Sequence, residues 1–272
     1  MLHFSASPLE LSRGVWRHRG LVSALIRREV VGRYRGSALG LMWSFFNPVF
    51  MLSVYTFVFS EVFKARWSGA SGDKSEFALI LFAGLMVFNL FAECINRAPT
   101  LVLANPNYVK KVIFPLEMLP WVNLGAAFFH MAISFLVWLF FYFICRGVPP
   151  ATIWLLPLVI LPLLLFTLGV SWALAALGVY LRDIAQVTAL LTTVLMFMSP
   201  IFYPASSLPS EYRALLNLNP LVPIIEQARN VMIWGQWPTW NMLAAQYVAS
   251  FCVAWAGFAW FQKTRKGFAD VL

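Results

Sequence analysis

Charge is what this 272-residue chain has least of. Only 11% of its positions are Asp, Glu, Lys or Arg, while 61% are hydrophobic. A soluble domain carries about 25% charged residues, so a fold that meets water on all sides is excluded. Only a bilayer accommodates this much apolar surface, and the class is an integral membrane protein.

Other scarcities narrow the chemistry. The three cysteines, Cys94, Cys145 and Cys252, lie in apolar segments without paired spacing. That pattern excludes a disulfide framework or a zinc ribbon and reads as buried, inert thiols. The histidines His3, His18 and His130 are far apart, with no H-E-x-x-H and no carboxylate cluster beside them. No GxxxxGK[ST] occurs, so this sequence does not cradle nucleotide phosphates in that way. No internal repeat supports an inverted-repeat secondary transporter. The first charge-free run, Leu2–Leu9, lacks a secretory-signal layout, and the first true apolar segment begins near Ala38.

The charge that exists is strongly skewed. The net charge is +9, and seven arginines lie within residues 1–37 against only Glu10 and Glu29. Lys263, Arg265 and Lys266 form a second basic cluster. Neither cluster interleaves aromatics in the manner of a base-stacking surface, so no nucleic-acid partner is expected. Basic residues flanking apolar spans follow the positive-inside rule instead.

Six spans of about 20 apolar residues are expected, over residues 38–60, 77–98, 118–145, 153–180, 184–203 and 242–261. With the N-terminus inside, thirteen Lys/Arg fall on the inner side and six on the outer side. Both termini are therefore expected in the cytoplasm. Residues 1–37 read as a cytoplasmic segment with a helix over Leu21–Val30 lying in the membrane interface. There Arg27, Arg28, Arg33 and Arg35 face lipid phosphates. Residues 38–272 form the transmembrane domain. The apolar, proline-punctuated stretch between the fifth and sixth spans reads as two short helices, near Ser210–Leu216 and Pro223–Trp234, in a re-entrant hairpin. Asn47-Pro48 interrupts the first span, and its proline removes a backbone hydrogen bond and bends the helix.

Within the spans the ionisable groups are few. Glu93 and Arg97 stand four apart, the spacing of an ion pair on one helix surface. His130 is a lone intramembrane histidine, read as hydrogen-bonded to a neighbouring helix.

Several stretches in order resemble a known family: "RYRGSALGLMWSFFNPVF", "NPNYVKKVIFPLEMLP" after the second span, "YLRDI" after the fourth, "SPIFYP" closing the fifth and "LNPLVPIIEQARNVM" in the outer hairpin. Together they resemble the membrane permease of bacterial ABC exporters of capsular polysaccharide, O-antigen or teichoic acid, with the all-α type-2 ABC exporter fold. The resemblance covers nearly the whole chain. It implies a homodimeric channel in the cytoplasmic membrane, powered by two copies of a separate ATPase subunit that holds the ATP and Mg. Residues 105–117 would be a coupling helix seated on that ATPase through Asn105, Tyr108, Lys110, Lys111, Phe114, Pro115 and Glu117. Arg182 and Asp183 would make a second contact. The interfacial helix would pass motion to the first span, the two outer short helices would form a gate, and the first and fifth spans would line the channel.

A conduit for sugar should offer aromatic platforms and few fixed charges. Trp43, Phe46 and Tyr55 of the first span and Phe197 and Tyr203 of the fifth suit that role, with stacking of roughly 0.5–1.5 kcal/mol per ring. The same rings equally suit an interfacial belt. The implied substrate is a polysaccharide, possibly lipid-linked, with periplasmic or outer-membrane export components as compatible partners. Alternatives are a drug or lipid permease on the same fold and a membrane-embedded glycosyl- or acyltransferase. The transferase would need a catalytic constellation, for which the spans offer only Glu93, Arg97 and His130.

Overall fold

The computed structural model describes residues 7–58, 74–110, 114–207, 209, 211, 216 and 218–271. Among these the regular structure is helical throughout. A bilayer leaves backbone polar groups no water to bond, which restricts spanning segments of this length to helices.

Among the described residues four helices are long and apolar enough to cross a membrane, within Ser75–Thr100, Leu116–Arg146, Ala151–Tyr180 and Trp240–Val271. The helices themselves are α4 (Lys74–Arg97), α6 (Leu119–Arg146), α7 (Leu156–Tyr180) and α10 (Trp240–Thr264). Their bounds match the sequence expectation to within a few residues. The expected first and fifth spans correspond to the shorter α3 (Trp43–Thr56) and α8 (Ile184–Phe197), of 14 residues each. Fourteen helical residues rise about 21 Å, short of the ~30 Å hydrocarbon core. Residues 59–60 of the expected first span lie outside the described residues. The fifth ends early because Pro200 has no N–H and the Ser199 hydroxyl turns back to the Leu195 carbonyl at 2.7 Å.

The hub of the fold is α4. Of the most apolar stretch of Ser75–Thr100, 83% is buried within the chain, against 22% for that of Leu116–Arg146. α6, α7 and α8 surround it. Aromatic and amide donors lock the packing. The Trp138 indole donates to the Leu79 carbonyl and the Asn123 amide to the Cys94 carbonyl, both at 3.0 Å. Such contacts hold helices together where no hydrophobic force distinguishes a neighbouring helix from lipid.

α7 and α10 approach most closely. A Cβ on Gly257 would lie 2.0 Å from the Gly169 carbonyl oxygen, and one on Gly169 would lie 2.5 Å from the Val253 oxygen. Small residues are what let two backbones touch in this way. Cys94 is buried as expected, whereas Cys145 and Cys252 are exposed on the helix surfaces.

Two further helices, α1 (Pro8–Arg17) and α2 (Arg19–Arg33), precede α3. α2 buries Val22 and Leu25 against Met118 and Val122, and leaves Arg27 and Arg28 exposed. The surface that this buried face covers is α6. α5 (Pro106–Lys110) is shorter than the rod expected over 105–117, and residues 111–113 lie outside the described set. α9 (Leu221–Arg229) continues as a wider helical turn to Trp234 and ends at Gly235, whose φ of 65° suits glycine. This helix coincides with the expected 223–234 element and packs against α4 and α7. Most of the expected Ser210–Leu216 helix lies outside the described residues. A final turn, α11 (Phe268–Val271), rests against α5 and α7.

Candidate functional site

Two regions concentrate polar chemistry, a cavity between α2, α3, α4 and α6 and a surface around α5. The cavity has a volume of about 430 Å³. Its base is a charged cluster that the sequence distributes over three helices. Arg33, at the end of α2, reaches the Glu93 carboxylate of α4 at 2.7 Å. The Glu93 oxygens accept from Nδ1 of His130 on α6 at 2.9 and 3.0 Å. Nε2 of the same ring lies 3.2 Å from the Tyr34 hydroxyl. Burial raises the Tyr34 phenol above its ordinary pKa, partly opposed by the Arg33 charge, which keeps the hydroxyl a donor. Nδ1 also lies 3.2 Å from the Arg33 guanidinium, so all three polar neighbours converge on this ring. His130 is thus hydrogen-bonded to neighbouring helices, as its isolation in the sequence suggested.

The expected pair between Glu93 and Arg97 does not form. Glu93 pairs with Arg33, and Arg97 pairs with Glu29 of α2. The reason is burial. Partner charges on α2 let both groups enter the protein with a counter-ion each, whereas an i,i+4 pair would leave the α2 charges uncompensated against apolar spans. Consequently α2 is bolted to α4 at two points one helical turn apart. All four arginines expected at lipid phosphates, Arg27, Arg28, Arg33 and Arg35, are exposed, and Arg33 also pairs with Glu93.

Asn47-Pro48 now finds a setting. Both residues line the cavity, and α3 runs through them without ending. Pro48 cannot donate to the Ser44 carbonyl four residues earlier, and Ser44 lines the same cavity.

The second region is built on the segment between α4 and α6. The Asn105 side-chain amide donates to the Leu101 carbonyl at 2.9 Å, and the Asn105 backbone carbonyl accepts the Tyr108 N–H at 3.0 Å. The Tyr108 ring stacks on Phe114 with centroids 4.0 Å apart, and Arg28 lies 6.0 Å from the Tyr108 centroid. Glu117 forms an ion pair with Arg265, which also donates to the Phe114 carbonyl at 2.9 Å. The Trp172 indole donates to the Glu117 carbonyl at 3.0 Å. Glu117 and Phe114 therefore tie this segment to α7 and to the end of α10, and Tyr108 to α2. Pro115 is half-buried at the turn into α6. Lys111 lies outside the described residues, as does the side chain of Lys110. Arg182 and Asp183 form an exposed turn between α7 and α8.

The aromatic candidates fall on α3 and around the end of α8. Trp43, Phe46 and Phe197 are exposed on the single chain. Tyr55 packs 6.0 Å from Phe202, which packs 5.9 Å from Phe197, and the Tyr203 hydroxyl donates to the Phe197 carbonyl at 3.0 Å. One aromatic patch thus joins the two elements.

Sequence reasoning missed Arg229, which it counted as an outer-loop charge. Arg229 is fully buried, and its guanidinium donates to the carbonyls of Ile80, Pro200 and Ile201. A Cβ on Gly84 would lie 2.4 Å from that guanidinium. "SPIFYP" and "EQARNVM" therefore meet in space, and the quoted motifs carried that signal without showing the contact.

A bundle of long apolar helices, with a basic helix ion-paired to it, defines a multi-pass membrane protein. The model of the ABC-2 type transporter family matches residues 20–233, and the chain belongs to that family. It is 28% identical to the O-antigen export system permease protein RfbA of Myxococcus xanthus over 96% of this chain and 99% of the relative. It is 25% identical to the protein of the same name from Klebsiella pneumoniae, over 93% of this chain and 95% of the relative. It is also 24% identical to the polysialic acid transport protein KpsM of Escherichia coli, over 79% and 81% of the two chains.

Proposed function

We infer that this chain is the permease subunit of an ATP-driven exporter that moves a polysaccharide, possibly lipid-linked, across the cytoplasmic membrane. Near full-length similarity to permeases named for O-antigen export carries this reading. Two copies form the channel, with six crossings each and both termini in the cytoplasm. α3 and α8 complete their crossings with the segments that follow them, and the α9 hairpin enters the membrane from outside. ATP and Mg sit on two separate ATPase subunits.

The ion pairs from Glu29 and Arg33 to Arg97 and Glu93 support a mechanism in which α2 moves as one piece with α4. The short α5 segment and the exposed Arg182-Asp183 turn face the ATPase, and Arg27, Arg28, Arg33 and Arg35 lie at lipid phosphates. Through the ion pair of Glu117 with Arg265, a push on the α5 segment reaches α10 directly. Trp43, Phe46, Tyr55, Phe197 and Tyr203 line the sugar path, a reading supported by the exposure of Trp43, Phe46 and Phe197 on the single chain, with Tyr55 and Tyr203 half-buried around them. Residues of this chain bind substrate and transmit force, and none is assigned a catalytic step.

The test is purification. The tagged chain should bring down a soluble ATPase and, alone, hydrolyse no ATP. Arg182→Glu combined with Asp183→Lys should reduce the recovered ATPase at least several-fold with membrane insertion unchanged. Hydrolysis by the isolated chain would end the permease reading, and undiminished recovery with the charge-reversed chain would end the assignment of this turn.

A further inference from the structure

The cavity above the Arg33–Glu93–His130 cluster differs from the channel the two copies would share. Every residue lining it falls between positions 33 and 134, so one protomer holds it complete. Its volume of about 430 Å³ lies within the ~300–1,000 Å³ of small-molecule sites.

Its chemistry is neutral and rich in hydrogen-bonding groups. Arg33 and Glu93 face each other at 2.7 Å, and His130 turns Nδ1 to the same carboxylate and Nε2 to the Tyr34 hydroxyl. A phosphate or carboxylate ligand would find no spare cation there, and a cationic ligand no spare carboxylate. Two carboxamides remain unused. Asn47 and Asn89 line the cavity and are exposed, and among the described residues neither side chain has a hydrogen-bond partner. Asn89 is the more telling of the two. It stands in α4 between Phe88 and Leu90, both buried, in a helix otherwise packed on nearly every side. A polar residue is costly in a membrane protein unless something meets it.

A carboxamide donates and accepts at once, as does a sugar hydroxyl. The carbonyl of Ser44, deprived of its helical donor by Pro48, adds an acceptor from a residue on the cavity wall. The Tyr55 ring supplies an apolar face on the same wall. Neutral charge, paired donors and acceptors, and an aromatic face together match a pyranose unit.

We propose that this cavity is a binding subsite for one neutral sugar unit of the transported glycan, held by Asn47 and Asn89 within a single protomer, apart from Trp43, Phe46, Phe197 and Tyr203 of the channel and bordering them at Tyr55. The proposal rests on the polysaccharide-export reading and adds a second place where the glycan touches the permease. An occupant would sit directly on the Arg33–Glu93 ion pair that helps fasten α2 to α4.

Photo-crosslinking in cells that express the whole transporter separates the two ideas. A benzoylphenylalanine replaces Met51 on the cavity wall, Phe197 in the aromatic patch, or Met242 on the exposed face of α10. Carbohydrate attached to the permease after irradiation is read by periodate–hydrazide labelling. The expected result is labelling at 51 and 197 and none at 242. In the Met51 background, Asn89→Leu should lower the yield about fivefold to tenfold, the loss of one or two good hydrogen bonds. Labelling at 197 without labelling at 51, or a yield at 51 that Asn89→Leu leaves unchanged, overturns the subsite while polysaccharide export stands. Absence of carbohydrate at both 51 and 197 overturns the export reading and the subsite with it.

Discussion

Gly257→Leu should leave almost no folded permease in the membrane. The added side chain would begin 2.0 Å from the Gly169 carbonyl oxygen, and the obstacle is backbone. No rotamer change relieves a backbone clash, and no trimming substitution exists opposite, because Gly169 already lacks a side chain. α7 and α10 would have to separate along their whole contact. Overpacking of this kind costs about 3 kcal/mol or more. Gly125 offers the contrast. Its Cβ would meet the Ile26 side chain at 2.2 Å, and a side chain can shift. Gly125→Ala should therefore accumulate far better than Gly257→Leu. The measurement is the monodisperse fraction on size-exclusion chromatography after mild detergent extraction. Comparable yields for the two variants would contradict the close α7–α10 contact.

The second large effect is expected at Arg229. Its guanidinium ties α9 to the Ile80 carbonyl of α4 and to the Pro200 and Ile201 carbonyls beyond α8. Charge-assisted hydrogen bonds contribute about 1.5–3 kcal/mol each, so Arg229→Leu should destabilise by on the order of 4 kcal/mol. Arg229→Lys should rescue only in part, since an ammonium cannot reproduce the planar fork. Gly84→Ala should resemble Arg229→Leu, because a methyl there occupies the guanidinium's place. Thermal unfolding of the detergent-solubilised chain reads all three. Stability of Arg229→Leu equal to the parent would show that these contacts contribute nothing.

How far the sequence reached depends on the kind of interaction. Apolar length located α4, α6, α7 and α10, because a span must match the hydrocarbon thickness whatever its neighbours. Pro106 and Pro115 bracketed the α5 segment for a similarly local reason. Partner choice was not local. Glu93 has Arg97 four residues away, yet pairs with Arg33 sixty positions earlier in the chain, since only the packed fold shows which charges are buried together. The same holds for Arg229, which a charge count assigns to solvent and three distant carbonyls hold inside. Asn47-Pro48 lies between these cases. The missing hydrogen bond was legible in the sequence, but the cavity beside it requires α4 and α6 to be in place.

Glycan translocation in a purified system tests the central claim most directly. The chain is reconstituted with its co-purifying ATPase in lipid vesicles and given the lipid-linked glycan of its own cells on the ATPase side. ATP should carry that glycan into the lumen, where added glycosidase no longer reaches it, and vesicles lacking either the ATPase or ATP should show no protection. Protection without ATP, or ATP hydrolysis by the complete complex with no glycan protected, would contradict the account.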